Sequence, residues 1–174
     1  AYIVNAFTTE ADEIITSAGT FIGIYVTIRK TGRQLKTLPL KNYGFDLDAI
    51  YNAITDKTTM IYLSNPNNPT GACINKGDMR EICRIAADIG AYVVCDNALR
   101  GSELDGIPAA TPLEFYEKGI ITGSLSKLGM TGPRIGWLIG SKEIIEACWR
   151  FKDYTTLSHS GIGEYLATIA LKEE

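Results

Sequence analysis

Histidine is nearly missing from this chain: His159 stands alone among 174 residues. That scarcity argues against a histidine-built metal site, so none is expected, and His159 reads as a structural or surface residue. Cysteine is sparse as well. Cys73, Cys83, Cys95 and Cys148 lie scattered, without metal-ligand spacing, and read as reduced cytosolic thiols. No apolar run approaches the length of a bilayer span. The start, Ala1-Tyr2-Ile3-Val4, lacks the charged region of a signal peptide, so a cytoplasmic protein is expected. Charge of one sign is missing too: 17 basic against 20 acidic side chains leave a net charge of −3. Such a balance offers no footprint for nucleic acid, and no basic amphipathic helix suggests a membrane surface. Internal repeats, low-complexity segments and interdomain linkers are also lacking.

What remains is an ordinary globular composition, 45% hydrophobic and 21% charged, long enough for one sizeable core. Helical and strand patterns alternate, which argues for a mostly parallel sheet with covering helices. Strands are predicted over Glu13–Thr16, Leu35–Leu40, Met60–Leu63, Ala91–Asp96, Gly119–Gly123 and Ile135–Gly140. Helices are predicted at 1–9 and 20–31, from Asp46 to Ile54, from Asn75 to Ile89, from Ser141 to Lys152, and over 160–173. Asp46 and Asn75 are fitting N-caps, and Gly90 a fitting residue just past a helix end. The stretch 97–118 reads as loop with one short helix.

Three segments carry chemistry. In Ser124-Leu125-Ser126-Lys127 a lysine follows two hydroxyl residues, and a glycine-rich turn then leads to Arg134. Such a lysine can form a Schiff base with a carbonyl cofactor, while the hydroxyls and the arginine hold a phosphate. Asn65-Pro66-Asn67-Asn68-Pro69-Thr70-Gly71 is a stiff loop after an apolar strand, where open α/β sheets bind ligands. Tyr92-Val93-Val94-Cys95-Asp96 is a strand ending in a carboxylate that can pair with a protonated ring nitrogen.

In this order the three segments resemble the class I/II aminotransferases, fold type I enzymes dependent on pyridoxal 5'-phosphate (PLP), and within them the histidinol-phosphate aminotransferase-like branch. Ile3-Val4-Asn5-Ala6-Phe7, Pro39-Leu40-Lys41-Asn42 and Phe45-Asp46-Leu47 echo the same branch. The resemblance spans nearly the whole chain. It implies the α/β large domain of that fold, a three-layer α/β/α arrangement on a mainly parallel mixed sheet.

The implied roles follow residue by residue. Lys127 carries the cofactor and shuttles the α-proton. Asp96 holds the pyridine nitrogen protonated, and Asn68 donates to the ring's 3-oxygen. Arg134, Ser124 and Ser126 bind the phosphate, and Phe21 stacks on the ring. Each has a plainer alternative: a solvated lysine, a capping carboxylate, a turn asparagine, a surface ion pair, hydroxyls that satisfy the turn, a core phenylalanine. Substrates would be an amino acid and a 2-oxo acid, and the working form a homodimer.

Three departures from the family pattern stand out. Leu99 occupies the place of a tyrosine three residues after the strand aspartate. Arg134 follows Lys127 by one residue fewer than in most members. Ala18-Gly19-Thr20-Phe21 replaces a proline-containing loop. Leu99 keeps a PLP-dependent lyase or cyclase open as an alternative. The effector domain of a PLP-binding transcription regulator and an inactive remnant are others. Both ends read as cut, so the chain is expected to be the central part of the large domain, 1–174, inactive alone. The N-terminal phosphate-loop segment and the small domain with its substrate-carboxylate arginine are not among these residues.

Overall fold

Short runs rich in isoleucine, valine and threonine extend readily, because branched side chains pack well on a pleated surface. In the computed structural model, which describes residues 1–172, these runs form one six-stranded sheet. The strands are β1 (Glu13–Ser17), β2 (Gln34–Leu38), β3 (Thr58–Ser64), β4 (Tyr92–Asp96), β5 (Gly119–Ser124) and β6 (Gly136–Ile139). Their order is β2-β1-β3-β4-β5-β6. Every pairing is parallel except that of β6, which runs antiparallel to β5.

The helices are α1 (Tyr2–Phe7), α2 (Ile22–Lys30), α3 (Leu47–Ala53), α4 (Lys76–Ile89), α5 (Lys142–Lys152) and α6 (Gly161–Ala170), with short 3₁₀ turns at Pro112–Glu114 and Leu125–Lys127. Strand alternation sorts the core into two halves. Ile61, Leu63, Val93 and Cys95 face Ile50 of α3 and Met79, Ile82, Cys83 and Ala86 of α4. Met60, Tyr62, Val94 and Ile120 face Ile3 and Val4 of α1, Ile24 and Ile28 of α2, and Ile144 and Cys148 of α5. Helices therefore cover both faces, giving the α/β/α layering expected of the sequence.

Local chemistry sets the element ends. The Asp46 carboxylate accepts from the backbone N–H groups of Asp48 (3.0 Å) and Ala49 (3.2 Å). The Asn75 side chain accepts from Asp78 N at 2.9 Å. Gly90 ends α4 at φ 71°, a left-handed conformation that a side chain disfavours. Several boundaries differ from the sequence reading. β2 stops at Leu38, because Pro39 has no N–H to extend the ladder. α2 starts only at Ile22, with Phe21 at the cap position. α6 ends at Ala170, where Lys172 N bonds to Ile169 O at 3.0 Å and tightens the turn. Residue 173 of that predicted helix lies outside the described residues.

A partly buried ion pair fastens the sheet's opposite end. Glu13 is 8% exposed, and its carboxylate accepts from Lys36 Nζ at 2.8 Å and from the Thr55 hydroxyl. These partners hold the Glu13 carboxyl below its ordinary value. The unfolded chain then binds this proton more readily, so the stabilisation is full above the unfolded pKa and is lost as pH falls through the folded one. Glu13→Gln should lower the unfolding free energy by about 1–2 kcal/mol at neutral pH. The gap between the two proteins should close below about pH 4, as read from urea melts across the acid range.

Candidate active site

Parallel pairing places the carboxyl ends of β3, β4 and β5 side by side. Ser64 pairs with Asp96, and Asp96 with Thr122. Asp96 is half-buried there, and both its oxygens are held. Oδ2 accepts from the Tyr62 hydroxyl at 2.8 Å, and Oδ1 from Ala98 N at 3.0 Å. Burial first, and then the Asp96 charge, push the Tyr62 phenol well above its ordinary value, so it remains a donor. A cavity of about 320 Å³ opens over this pair, walled by Phe21, Ile24, Thr27, Tyr62, Asp96 and Thr122. Phe21 is 45% exposed, so the alternative of a core phenylalanine is ruled out.

The loop after β3 is held by asparagines, but not by the one singled out. Asn65 is fully buried. Its Nδ2 donates to Ala110 O and its Oδ1 accepts from Ile74 N, both at 2.8 Å. Asn67 closes the turn, its backbone N donating to Ala72 O at 2.9 Å and its carbonyl accepting from Gly71 N at 2.8 Å. Turn duty thus falls to Asn65 and Asn67. Asn68 is half-buried, and its amide makes no side-chain hydrogen bond among the described residues.

Past β5 the chain enters a 3₁₀ turn, Leu125–Lys127, capped by Ser124, whose oxygen accepts from Ser126 N at 3.1 Å. Ser126 Oγ accepts from Arg134 Nη1, also at 3.1 Å. Arg134 has φ 58°, a strained value for a residue with a side chain, and also donates to Thr131 O at 3.1 Å. It forms no ion pair among the described residues, unlike the surface alternative. A larger cavity, about 630 Å³, takes Arg134 into its wall along with Trp137, Lys152 and His159. Ala1, Ile3 and Thr122 line both cavities. Lys127 is exposed at the end of its turn and lines neither, nor does Asn68.

A strand-end carboxylate, an unpaired arginine on a serine turn and an exposed lysine between them are the parts the sequence motifs supply. The family described as aminotransferase class I and II matches over residues 1–174. The chain belongs to this family. Histidinol-phosphate aminotransferase 2 of Pasteurella multocida is 36% identical over 149 residues, 83% of this chain and 40% of that protein. Capreomycidine synthase of Streptomyces vinaceus is 28% identical over 165 residues, 92% of this chain and 42% of that protein. The crystal structure of a PLP-dependent aminotransferase from Streptococcus suis superposes with a TM-score of 0.88 at 25% identity, covering 98% of this chain and 46% of that one. An aspartate aminotransferase double mutant from Thermus thermophilus gives 0.91 at 26% identity, covering 99% and 46%. The chain therefore spans under half the length of these relatives.

Within this aminotransferase fold, Asp96 and Phe21 share one cavity, and Ser124, Ser126 and Arg134 form one hydrogen-bonded turn. Lys127 lies on that turn, and Asn68 on the neighbouring loop. Tyr62 and Thr122 were not legible as site residues. The usable signal for Tyr62 was its place two residues before the end of β3, on the same strand face as Ser64.

Two outcomes test this geometry. Asn65→Ala leaves the buried Ile74 N–H and Ala110 C=O unpaired and should cost about 3 kcal/mol in urea unfolding. Arg134→Gly should be more stable than Arg134→Ala by about 1 kcal/mol, because only glycine relieves the positive φ.

Proposed function

We propose that this chain forms the PLP-binding part of an aminotransferase that moves an amino group from an amino acid to a 2-oxo acid. One observation carries the reading. Asp96 and Arg134 line adjoining cavities that share Thr122, and the Lys127 turn follows β5, the strand between β4 and β6. The donor set fits the cofactor. A carboxylate suits a protonated ring nitrogen, and a guanidinium beside serine hydroxyls, without an ion-pair partner among the described residues, suits a phosphate.

When bound, PLP supplies an electron sink for charge at the substrate's α-carbon. The protein's share is positioning and proton movement. Asp96 would accept from the ring nitrogen and keep it charged. Arg134, with Ser126 and Ser124, would bind the phosphate, and Asn68 would offer its amide to the ring's 3-oxygen. Phe21 would supply an apolar surface for the ring and limit water. Lys127 Nζ would anchor the cofactor covalently and, once displaced by the substrate's amine, would be the base placed to take and return the α-proton. Membership in the family supports this assignment, as do the relatives named for aminotransferase activity. By the same resemblance, the whole protein works as a homodimer. No helix among the described residues is long and apolar enough to cross a membrane.

A second reading, a PLP-dependent lyase or cyclase, is favoured by Leu99. This half-buried residue cannot donate to the ring's 3-oxygen as the family's tyrosine does, and a synthase is among the similar proteins.

In the full-length polypeptide, added PLP should give a visible absorption band that survives dialysis. Lys127→Ala should abolish the band, and amino transfer should fall to background. Loss of ammonia or cyclised product in place of a 2-oxo acid would favour the second reading. A wild-type protein without a lysine-dependent band would sink both.

A further inference from the structure

Tyr62 belongs to none of the three motifs, yet it is the side chain that touches the strand-end carboxylate. It stands on β3, where its backbone carbonyl accepts from Thr16 Oγ1 at 2.9 Å. Its ring is packed in the same core cluster as Met60 and Val94, and the residue is 8% exposed. The register explains the contact. Tyr62 pairs with Val94, so its long ring reaches forward along the neighbouring strand to Asp96, which pairs with Ser64. Val94 and Asp96 lie on the same face of β4, as Tyr62 and Ser64 do on β3. Both ends of the contact line the 320 Å³ cavity.

An aspartate's last torsion is broad, so the carboxylate plane is set by its partners and not by rotamer preference. Here each oxygen has one donor on the protein, the Tyr62 hydroxyl or the Ala98 amide. The amide sits two residues away on the same loop. Among the described residues, Tyr62 alone ties the carboxylate to a central strand. We propose that Tyr62 is a positioning residue for Asp96: its hydroxyl fixes the carboxylate plane at the cavity wall so that it meets the ring nitrogen of PLP in one orientation. The inference rests on the cofactor reading above and adds to it a residue outside the motifs.

The test is a double-variant cycle in the full-length polypeptide. PLP dissociation constants are measured for wild type, Tyr62→Phe, Asp96→Ala and the pair. The Tyr62 phenol titration of the ligand-free proteins is followed by ring-carbon NMR. Tyr62→Phe keeps the ring volume and so preserves the core. It should weaken PLP binding about tenfold when Asp96 is present, and less than about twofold in the Asp96→Ala background. In ligand-free protein the Tyr62 phenol should resist ionisation, and should titrate at lower pH in Asp96→Ala, where the neighbouring charge is gone. Equal losses in both backgrounds, or no loss in either, overturn the positioning role and leave the cofactor reading standing. An unchanged phenol titration in Asp96→Ala overturns the contact itself, without reference to cofactor. Wild-type protein that binds no PLP overturns the role together with the reading it rests on.

Discussion

The buried side chain of Asn65 is the point on which the candidate site depends. Its backbone N donates to Asp96 O at 3.0 Å, just past the end of β3. Its side chain reaches Ala110 and Ile74, and its carbonyl accepts from Asn97 Nδ2. One residue thus links the β3 loop, the approach to α4, the loop after β4 and the return before β5. Buried polar groups left without partners are costly, so a fully used amide can specify a loop as firmly as a hydrophobic contact does. With the loops held in this way, Asp96 and Asn68 lie on elements whose relative places are set before any ligand arrives.

The surrounding electrostatics follow from the same arrangement. Parallel strands bring Asp96 next to Thr122 at the carboxyl ends of β4 and β5, and half-burial makes its donors count for more than they would in water. Cys95, one residue back, is fully buried, and its thiol is pushed up by burial and by the Asp96 charge. It is inert packing and not a nucleophile. Arg134, in contrast, keeps a strained backbone and a guanidinium without a carboxylate partner among the described residues. The surroundings there hold a backbone conformation that local preference disfavours.

Tyr62 and Leu99 bear on the same question from two sides. The family's tyrosine three residues beyond the strand aspartate is replaced by an apolar side chain. A different tyrosine, on the adjacent strand, spends its hydroxyl on the aspartate. The two are not substitutes, since the first would reach the ring's 3-oxygen and the second reaches the carboxylate. Phenolic donation at these strand ends is therefore directed to the Asp96 carboxylate.

Most of the fold was legible because its signals are local. Alternation and branched residues mark strands, and Asp46, Asn75, Ser141 and Gly90 mark helix ends through their own side chains or lack of one. The motif residues Asn68, Asp96, Ser124, Ser126, Lys127 and Arg134 were legible for the same reason, since spacing within a short segment survives in sequence. Strand register is not local. No feature near Tyr62 states that it faces Asp96 thirty-four residues on; that depends on how β3 and β4 align. Nor does the asparagine-rich loop state which asparagine is buried. The sequence by itself determined the elements, their caps and the chemical types at the strand ends. Only tertiary structure decided that Asn65 holds the loops, that Phe21 walls a cavity, and that the Tyr62 hydroxyl meets Asp96, because pairing between distant strands sets which side chains meet.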